Sequence, residues 1–197
     1  MLTQIINGHI LTPQGWMKDG SVLISDGKIL EVTNSDLAVI GAKVVDAKGM
    51  YIVPGFVAMN VHGGGGHDFK ECTEEAFHSA IAAHMKHGAT TLFPTLSSSP
   101  KELICKAVSI CEKLMAEKDG PVLGLHVEGP YLNTKMAGNL YDVKDPDEEK
   151  YRSILESTNC IKRWDASPEL PGAHDFARYL RSKGLLAAIT HTEAEFE

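Results

Sequence analysis

The chain has 197 residues, of which 43% are hydrophobic and 23% are charged, and its formal net charge at pH 7 is −7. This composition is typical of a folded globular protein, and a net negative charge without a Lys/Arg stripe argues against a nucleic-acid partner. No apolar run approaches the roughly 20 residues that span a bilayer, and the N-terminus lacks the segments of a signal peptide. We therefore expect a cytoplasmic protein without membrane contact.

The first 53 residues are predicted to form a small antiparallel β-sandwich segment. Short β-type runs such as SVLIS and KILEV alternate with the turn signals Asp19-Gly20 and Asp26-Gly27. Closely spaced strands joined by Asp-Gly turns are typical of antiparallel pairing. We therefore predict one domain over residues 1–53 and a second over residues 54–197.

From residue 54 onward, short apolar strands alternate with helical stretches. The strands are predicted in FVAMNVH, ATTLFPT, VLGLHVEG, CIKRWDASPE and LLAAITH, and the helices near residues 74–86, 101–117, 147–156 and 173–182. This alternation predicts a parallel sheet with helical crossovers, which fits either a barrel or a doubly wound sheet. Polar residues at the C-terminal ends of the strands favour a (β/α)8 TIM-type barrel, whose rim carries the chemistry. The predicted fold class is α/β, with an incomplete barrel of about five of the eight strands.

Two polar residues at strand ends are the leading candidates for chemistry. Glu128 follows the apolar strand VLGLHV, and His191 closes the strand LLAAITH. Each also has a structural interpretation: Glu128 as a cap of the loop backbone, and His191 as a hydrogen-bonded rim residue. A carboxylate and a neutral imidazole at one rim suit zinc or a similar divalent ion. The sequence therefore predicts that the two side chains lie close enough to bind one ion.

The first barrel strand ends in Asn60-Val61-His62. Alternation along a strand places residues 60 and 62 on the same side, so both side chains are predicted to point into the barrel mouth. Two histidines would form a strong metal motif, and asparagine in the first place weakens it. Asn60 is interpreted as a contact of substrate or water, and His62 as a weak ligand, a polariser or a structural residue. The glycine run at 63–66 lacks the Lys-Ser/Thr of a P-loop and is interpreted as a turn.

Together these motifs resemble the N-acetylglucosamine-6-phosphate deacetylases of the amidohydrolase superfamily. The resemblance extends over essentially the whole chain and is carried by VPGFVAMNVHGGGGHDF, ATTLFPT, GLHVEGPYLN, SPE and ITHTEA. GLHVEGPYLN is the most specific of these strings. The resemblance implies a metal-dependent enzyme that hydrolyses the acetamide of N-acetylglucosamine 6-phosphate to glucosamine 6-phosphate and acetate. It also implies a homodimer when full length.

The resemblance implies a metal site with one divalent ion. Glu128 and His191 are its implied ligands, with His62 as a weaker one. The ion is expected to be zinc, with iron, cobalt, manganese and nickel as alternatives. Asparagine at position 60, where the superfamily carries the first histidine of a His-x-His pair, implies one tightly held metal ion instead of two.

The resemblance also implies where the substrate lies. Gly138 and Asn139, in the loop KMAGN, are implied to lie near the sugar phosphate, and Asn60 is a weaker candidate for a substrate contact. Leu140 departs from the family, whose members often carry histidine or glutamine at this point of the loop. A substrate contact at position 140 is therefore in doubt.

Part of the implied catalytic machinery is expected beyond Glu197. It comprises another metal-binding histidine and the catalytic aspartate that shuttles the proton, so no catalytic residue is predicted within the chain, which is expected to be inactive alone. Two alternatives stay open. One is another amidohydrolase, acting on a different N-acetyl sugar or a cyclic amide. The other is a non-catalytic half-barrel fragment, whose fifth strand would present an unpaired edge.

Overall fold

The computed structural model describes residues 1–34 and 38–196, and the chain divides into two compact units, Met1–Gly55 and Phe56–Glu197. Glu197, the last residue of the predicted second domain, lies outside the described residues. Within the described ranges, no helix is both long enough and apolar enough to cross a membrane. The four cysteines, all within these ranges, are free thiols.

In its described residues, the first unit contains one mixed β-sheet of five strands. Its strands are β1 (Leu2–Thr12), β2 (Gly15–Ser25), β3 (Lys28–Thr33), β4 (Lys43–Asp46) and β5 (Tyr51–Ile52). The antiparallel pairing predicted for this region is confirmed for β1, β2 and β3. In contrast, β4 and β5 both pair with β1 in parallel, β4 near the start of β1 at residues 3–6 and β5 farther along it at His9 and Ile10.

One of the two predicted turns in this region is wrong. Asp26-Gly27 does connect β2 to β3, and both residues have the positive φ that a tight hairpin requires. Asp19-Gly20 instead lies inside β2, where Asp19 has φ +50° and the register with β1 shifts by one residue. An Asp-Gly pair is compatible with a β-bulge as well as with a turn, since both structures need a residue that tolerates positive φ.

The second unit is built on a parallel sheet of five strands that are neighbours in chain order. Its strands are β6 (Phe56–Val61), β9 (Ala89–Ser97), β10 (Leu125–Glu128), β11 (Ile161–Ala166) and β12 (Leu186–Ile189). Each predicted barrel strand is present, which confirms the predicted incomplete barrel. Because all five strands are parallel, their C-terminal ends lie along one rim of the sheet.

Four α-helices connect these strands, and each begins and ends within two residues of its predicted position. They are α1 (Glu74–Met85), α2 (Lys101–Met115), α3 (Glu148–Ser157) and α4 (Ala173–Ser182). Side chains cap two of them: Thr73 accepts a hydrogen bond from the backbone N–H of Ala76, and Asp147 accepts one from that of Lys150. These caps satisfy backbone donors that a helix leaves unpaired in its first turn.

The glycine run after β6 forms a small hairpin. β7 (Gly63–Gly64) and β8 (His67–Asp68) pair in antiparallel fashion, followed by the short 3-10 helix Phe69–Glu71. Gly65 and Gly66, which join the two strands, have φ of +61° and +88°. Two successive residues with positive φ explain the glycines, so the interpretation of this run as a turn is confirmed.

The two faces of the parallel sheet differ in polarity. Leu96, Val127 and Trp164 are paired across β9, β10 and β11, are at most 1% exposed, and belong to the hydrophobic core beneath the helices. The neighbouring row on the opposite face contains Ser97, Glu128 and Asp165, which are also buried. Side chains alternate between the faces of a strand, so the apolar row fixes the direction in which Glu128 points.

Candidate metal and substrate site

Glu128 lies at the C-terminal end of β10, and its side chain is 8% exposed. Its carboxylate contacts two histidines. His62 Nε2 lies 3.0 Å from Glu128 Oε2, and His191 Nε2 lies 3.2 Å from Glu128 Oε1. The structure therefore brings together all three side chains that were considered as metal ligands, from the ends of β6, β10 and β12.

The electrostatics of this cluster favour a negative carboxylate beside positive charge. The hydrogen bond from His62 lowers the pKa of Glu128 below its usual value, against the desolvation that acts to raise it. The same hydrogen bond raises the pKa of His62, again against desolvation. A buried carboxylate needs such a partner to remain ionised.

The imidazole of His191 is oriented by a backbone carbonyl. His191 Nδ1 lies 2.9 Å from Met136 O, and a carbonyl oxygen only accepts hydrogen bonds, so Nδ1 carries the proton. In the neutral ring, Nε2 then directs its lone pair at Glu128 Oε1. Two lone pairs that face each other require a proton or a cation between them. Metal-binding histidines are commonly oriented in this way through their second nitrogen, so the donor set fits a divalent cation.

The three side chains are arranged around the carboxylate and not around a common point. Within residues 1–34 and 38–196, no group of three or more His, Cys, Asp and Glu side chains has the spacing of a complete metal centre. Glu128 contacts both imidazoles, and the imidazoles approach its two different oxygens. Glu128, His62 and His191 are therefore the side chains that would hold a metal ion here.

The segment Asn60-Val61-His62 has the alternation that was predicted. Asn60 and His62 are exposed, whereas Val61 between them is buried in the hydrophobic core. The backbone N–H of Val61 donates to Thr95 Oγ1 at 2.9 Å, which fixes this part of β6 against β9. Only His62 of the two polar residues contacts Glu128. Asn60 is left at the rim, where it is accessible to a ligand.

Gly138 and Asn139 lie in an exposed turn of the loop after β10. The backbone N–H of Leu140 donates to Ala137 O at 3.0 Å and closes the turn, and Gly138 has φ +62°, which explains the glycine. The loop reaches the metal-ligand candidates through Met136, whose carbonyl contacts His191. Leu140 is partly buried.

A second buried polar group lies beside Glu128 and was not predicted. Asp165 is fully buried, and its two oxygens accept hydrogen bonds from Arg163 at 2.7 and 2.8 Å. His126 Nε2 lies 3.0 Å from Asp165 Oδ1, but this contact lacks hydrogen-bond geometry and is best described as electrostatic. His126 Nδ1 contacts Thr95 Oγ1 at 3.0 Å. The sequence signal that could have predicted this network is the alternation of polar with apolar residues in the strands LHVE and KRWDA.

We expect Asp165→Asn to lower the free energy of unfolding by about 3 kcal/mol, because removing one partner of a buried ion pair leaves the other uncompensated. Arg163 would keep one acceptor oxygen, but it would lose the negative charge and would face an NH2 donor in place of the other oxygen. Urea unfolding followed by circular dichroism measures the change. Asp175→Asn is the matched control, since Asp175 forms an exposed ion pair with Arg178 and such pairs contribute about 1 kcal/mol or less. Equal effects of the two substitutions would contradict the prediction.

No family model matches the chain. Curated relatives do match, and they are N-acetylglucosamine-6-phosphate deacetylases. The one from Lysinibacillus sphaericus is 27% identical over 200 residues, which cover 98% of this chain and 51% of the relative. The one from Homo sapiens is 26% identical over 200 residues, covering 95% of this chain and 47% of the relative. The chain thus spans about half the length of these relatives.

A solved structure of a deacetylase also matches this chain over about half of its own length. It is a mutant of the N-acetyl-D-glucosamine-6-phosphate deacetylase from Mycobacterium smegmatis in complex with N-acetyl-D-glucosamine-6-phosphate. It superposes with a TM-score of 0.87 at 28% sequence identity, and the match covers 98% of this chain and 50% of that one. The chain is therefore similar in sequence and fold to the matched half of these enzymes.

Proposed function

We propose that this chain is the N-terminal half of an N-acetylglucosamine-6-phosphate deacetylase, which hydrolyses the acetamide of that sugar phosphate to glucosamine 6-phosphate and acetate. The observation that carries the proposal is the carboxylate of Glu128 between His62 and His191, at the rim where barrel enzymes place their chemistry. The similarity to deacetylases along 98% of the chain supports the choice of substrate.

In this proposal, Glu128 and His191 hold one divalent ion, with His62 as a weaker ligand. A carboxylate with imidazole nitrogens suits zinc, and iron, cobalt, manganese and nickel remain chemically suitable. When bound, such an ion lowers the pKa of a coordinated water to about 7 and so supplies hydroxide at neutral pH. Met136 contributes by keeping the proton of His191 on Nδ1, which leaves Nε2 free to bind.

The three other candidate residues would contact the substrate. Gly138 and Asn139 expose backbone and amide groups in the turn beside His191, which suits them to bind the sugar phosphate, and Asn60 offers a further amide at the rim. The proton-shuttling aspartate is expected from the second half of the enzyme, so no residue of this chain is assigned that role. We also expect a cytoplasmic location and a homodimer for the complete enzyme, both from the family resemblance.

The complete gene product tests the proposal by its release of acetate. We expect release from N-acetylglucosamine 6-phosphate, strong reduction by removal of divalent metal with a chelator, and loss in Glu128→Gln. Deacetylation of other amino sugars without action on the 6-phosphate would favour a different amidohydrolase. If the gene encodes nothing beyond Glu197 and its product releases no acetate, the half-barrel is non-catalytic and the proposal is wrong.

A further inference from the structure

The loops that follow β10, β11 and β12 meet at the backbone of His191, and the hydroxyl of Ser167 connects them by hydrogen bonds. Ser167, which follows β11, is fully buried. Its Oγ accepts a hydrogen bond from the backbone N–H of Asn133, in the loop after β10, at 2.8 Å. It donates to the backbone carbonyl of His191, after β12, at 2.7 Å. The backbone of His191 is therefore held from two neighbouring strands.

Glu169 makes a second set of contacts between the same three loops. Its carboxylate accepts hydrogen bonds from the Thr192 hydroxyl at 2.6 Å, the backbone N–H of Glu193 at 2.9 Å and Asn133 Nδ2 at 2.7 Å. Desolvation acts to raise the pKa of Glu169, but these hydrogen bonds lower it to about 2. The carboxylate is therefore ionised at neutral pH, and charge-assisted hydrogen bonds of this kind are among the stronger ones in proteins.

His191 needs this support because its backbone is in an unfavourable conformation. It has φ +46°, in the left-handed region that non-glycine residues seldom occupy. Such a residue persists only where its surroundings hold it. Ser167 donates a hydrogen bond to the carbonyl of His191 itself, and Glu169 binds the two residues that follow His191 in the chain.

The same contacts act on the group that orients the imidazole. The side-chain oxygen of Asn133 accepts a hydrogen bond from the backbone N–H of Lys135 at 2.9 Å. Its backbone carbonyl accepts one from the backbone N–H of Met136 at 3.0 Å. Glu169 binds the other end of that side-chain amide. The position of the Met136 carbonyl, and with it the tautomer of His191, depends on this turn.

We propose that Glu169 is a positioning residue for His191: it fixes the backbone of the histidine segment and the Met136 carbonyl together, so that Nε2 faces Glu128 with its lone pair. This inference rests on the proposed function, because the purpose of that orientation is to bind the metal ion. Glu169 is not itself assigned as a ligand, since its oxygens are engaged by Asn133, Thr192 and Glu193.

Zinc titration of the chain by calorimetry tests this role. We expect Glu169→Ala to weaken Zn²⁺ binding by about 10- to 100-fold, the range for loss of a residue that orients a metal ligand. Glu195→Ala is the matched control, because it removes an exposed carboxylate from the segment after β12 that carries His191, and it is expected to leave the affinity unchanged. Glu169→Gln, which keeps one acceptor oxygen, is expected to fall between wild type and Glu169→Ala. Equal affinity of wild type and Glu169→Ala would overturn the inference.

A double-substitution cycle separates positioning from direct ligation. If Glu169 acts through His191, Glu169→Ala has no further effect on zinc affinity in a His191→Ala background. Independent losses that add would show that Glu169 contributes by another route, and would overturn the inference. The melting temperature of each metal-free variant is measured beside the affinities, and a loss of affinity that only follows global unfolding would likewise count against it.

The hydrogen bond from His191 Nδ1 to the Met136 carbonyl provides a readout that does not involve metal. NMR signals of the imidazole in the metal-free chain are expected to show a hydrogen-bonded Nδ1–H in wild type and loss of that hydrogen bond in Glu169→Ala. An unchanged Nδ1–H hydrogen bond would overturn the inference while leaving the proposed function intact. The proposed metal site fails separately if zinc binding to the wild-type chain is insensitive to Glu128→Gln.

Discussion

Glu128→Gln is expected to abolish measurable binding of Zn²⁺ to the isolated chain. We expect a loss in affinity of more than about 100-fold, because losing a metal ligand costs more than the 10- to 100-fold lost with a residue that only orients a ligand. The substitution preserves the shape of the side chain but removes the charge between His62 and His191. A neutral amide is a much poorer ligand for a divalent ion than a carboxylate. Calorimetric titration at neutral pH measures the effect.

Glu112→Gln is the matched control for this result. Glu112 is an exposed carboxylate on α2, and it contacts Thr158. The same chemical change there is expected to leave zinc affinity unaltered. Binding of equal strength by the Glu128 and Glu112 variants would mean that the ion is held elsewhere. The cluster at Glu128 would then be a structural arrangement of one carboxylate with two histidines.

Trp164→Ala is expected to have the largest effect on stability, with a loss of about 3 to 5 kcal/mol in the free energy of unfolding. Trp164 is fully buried, stacks on Tyr131 with ring centroids 5.8 Å apart, and meets Phe176 edge-on at 5.4 Å. Its indole N–H also donates to Gly129 O at 2.8 Å, next to Glu128. The substitution removes this packing and leaves a buried carbonyl unpaired. A shift in the urea midpoint measured by circular dichroism gives the magnitude.

The chain offers its other tryptophan as the control. Trp16 is 56% exposed and contacts Tyr51. We expect Trp16→Ala to cost about 1 kcal/mol or less, the value for a single exposed aromatic contact. If the two alanine variants unfold at the same urea concentration, the hydrophobic layer between the parallel sheet and α4 is not the main source of stability in the second unit.

The regular elements were predictable because they depend on local patterns. The alternation of apolar strands with amphipathic stretches predicted all five parallel strands and all four helices of the second unit. The first unit was harder. Asp19-Gly20 and Asp26-Gly27 are identical dipeptides, yet one forms a bulge and the other a turn. Which of the two forms depends on pairing with β1, a partner that local sequence does not specify.

The candidate site shows the same division. Glu128 and His191 were predicted as candidates because each is a polar residue at the end of an apolar strand, and the structure brings the two side chains together at one rim. The Asp165 network was not found, since arginine, histidine and aspartate within strands are compatible with exposed faces. Burial of that row is a consequence of how the sheet packs.

The sequence by itself determined the order of elements, the end of the sheet that carries polar groups and the identity of the two principal ligand candidates. Only the tertiary structure decided how they act together: that His62 and His191 approach different oxygens of Glu128, that Met136 fixes the tautomer of His191, and that Glu169 joins the three loops. The physical reason is that periodicity reports contacts between residues near in the chain. Hydrogen bonds between separate loops depend on distances that arise only after the strands have assembled.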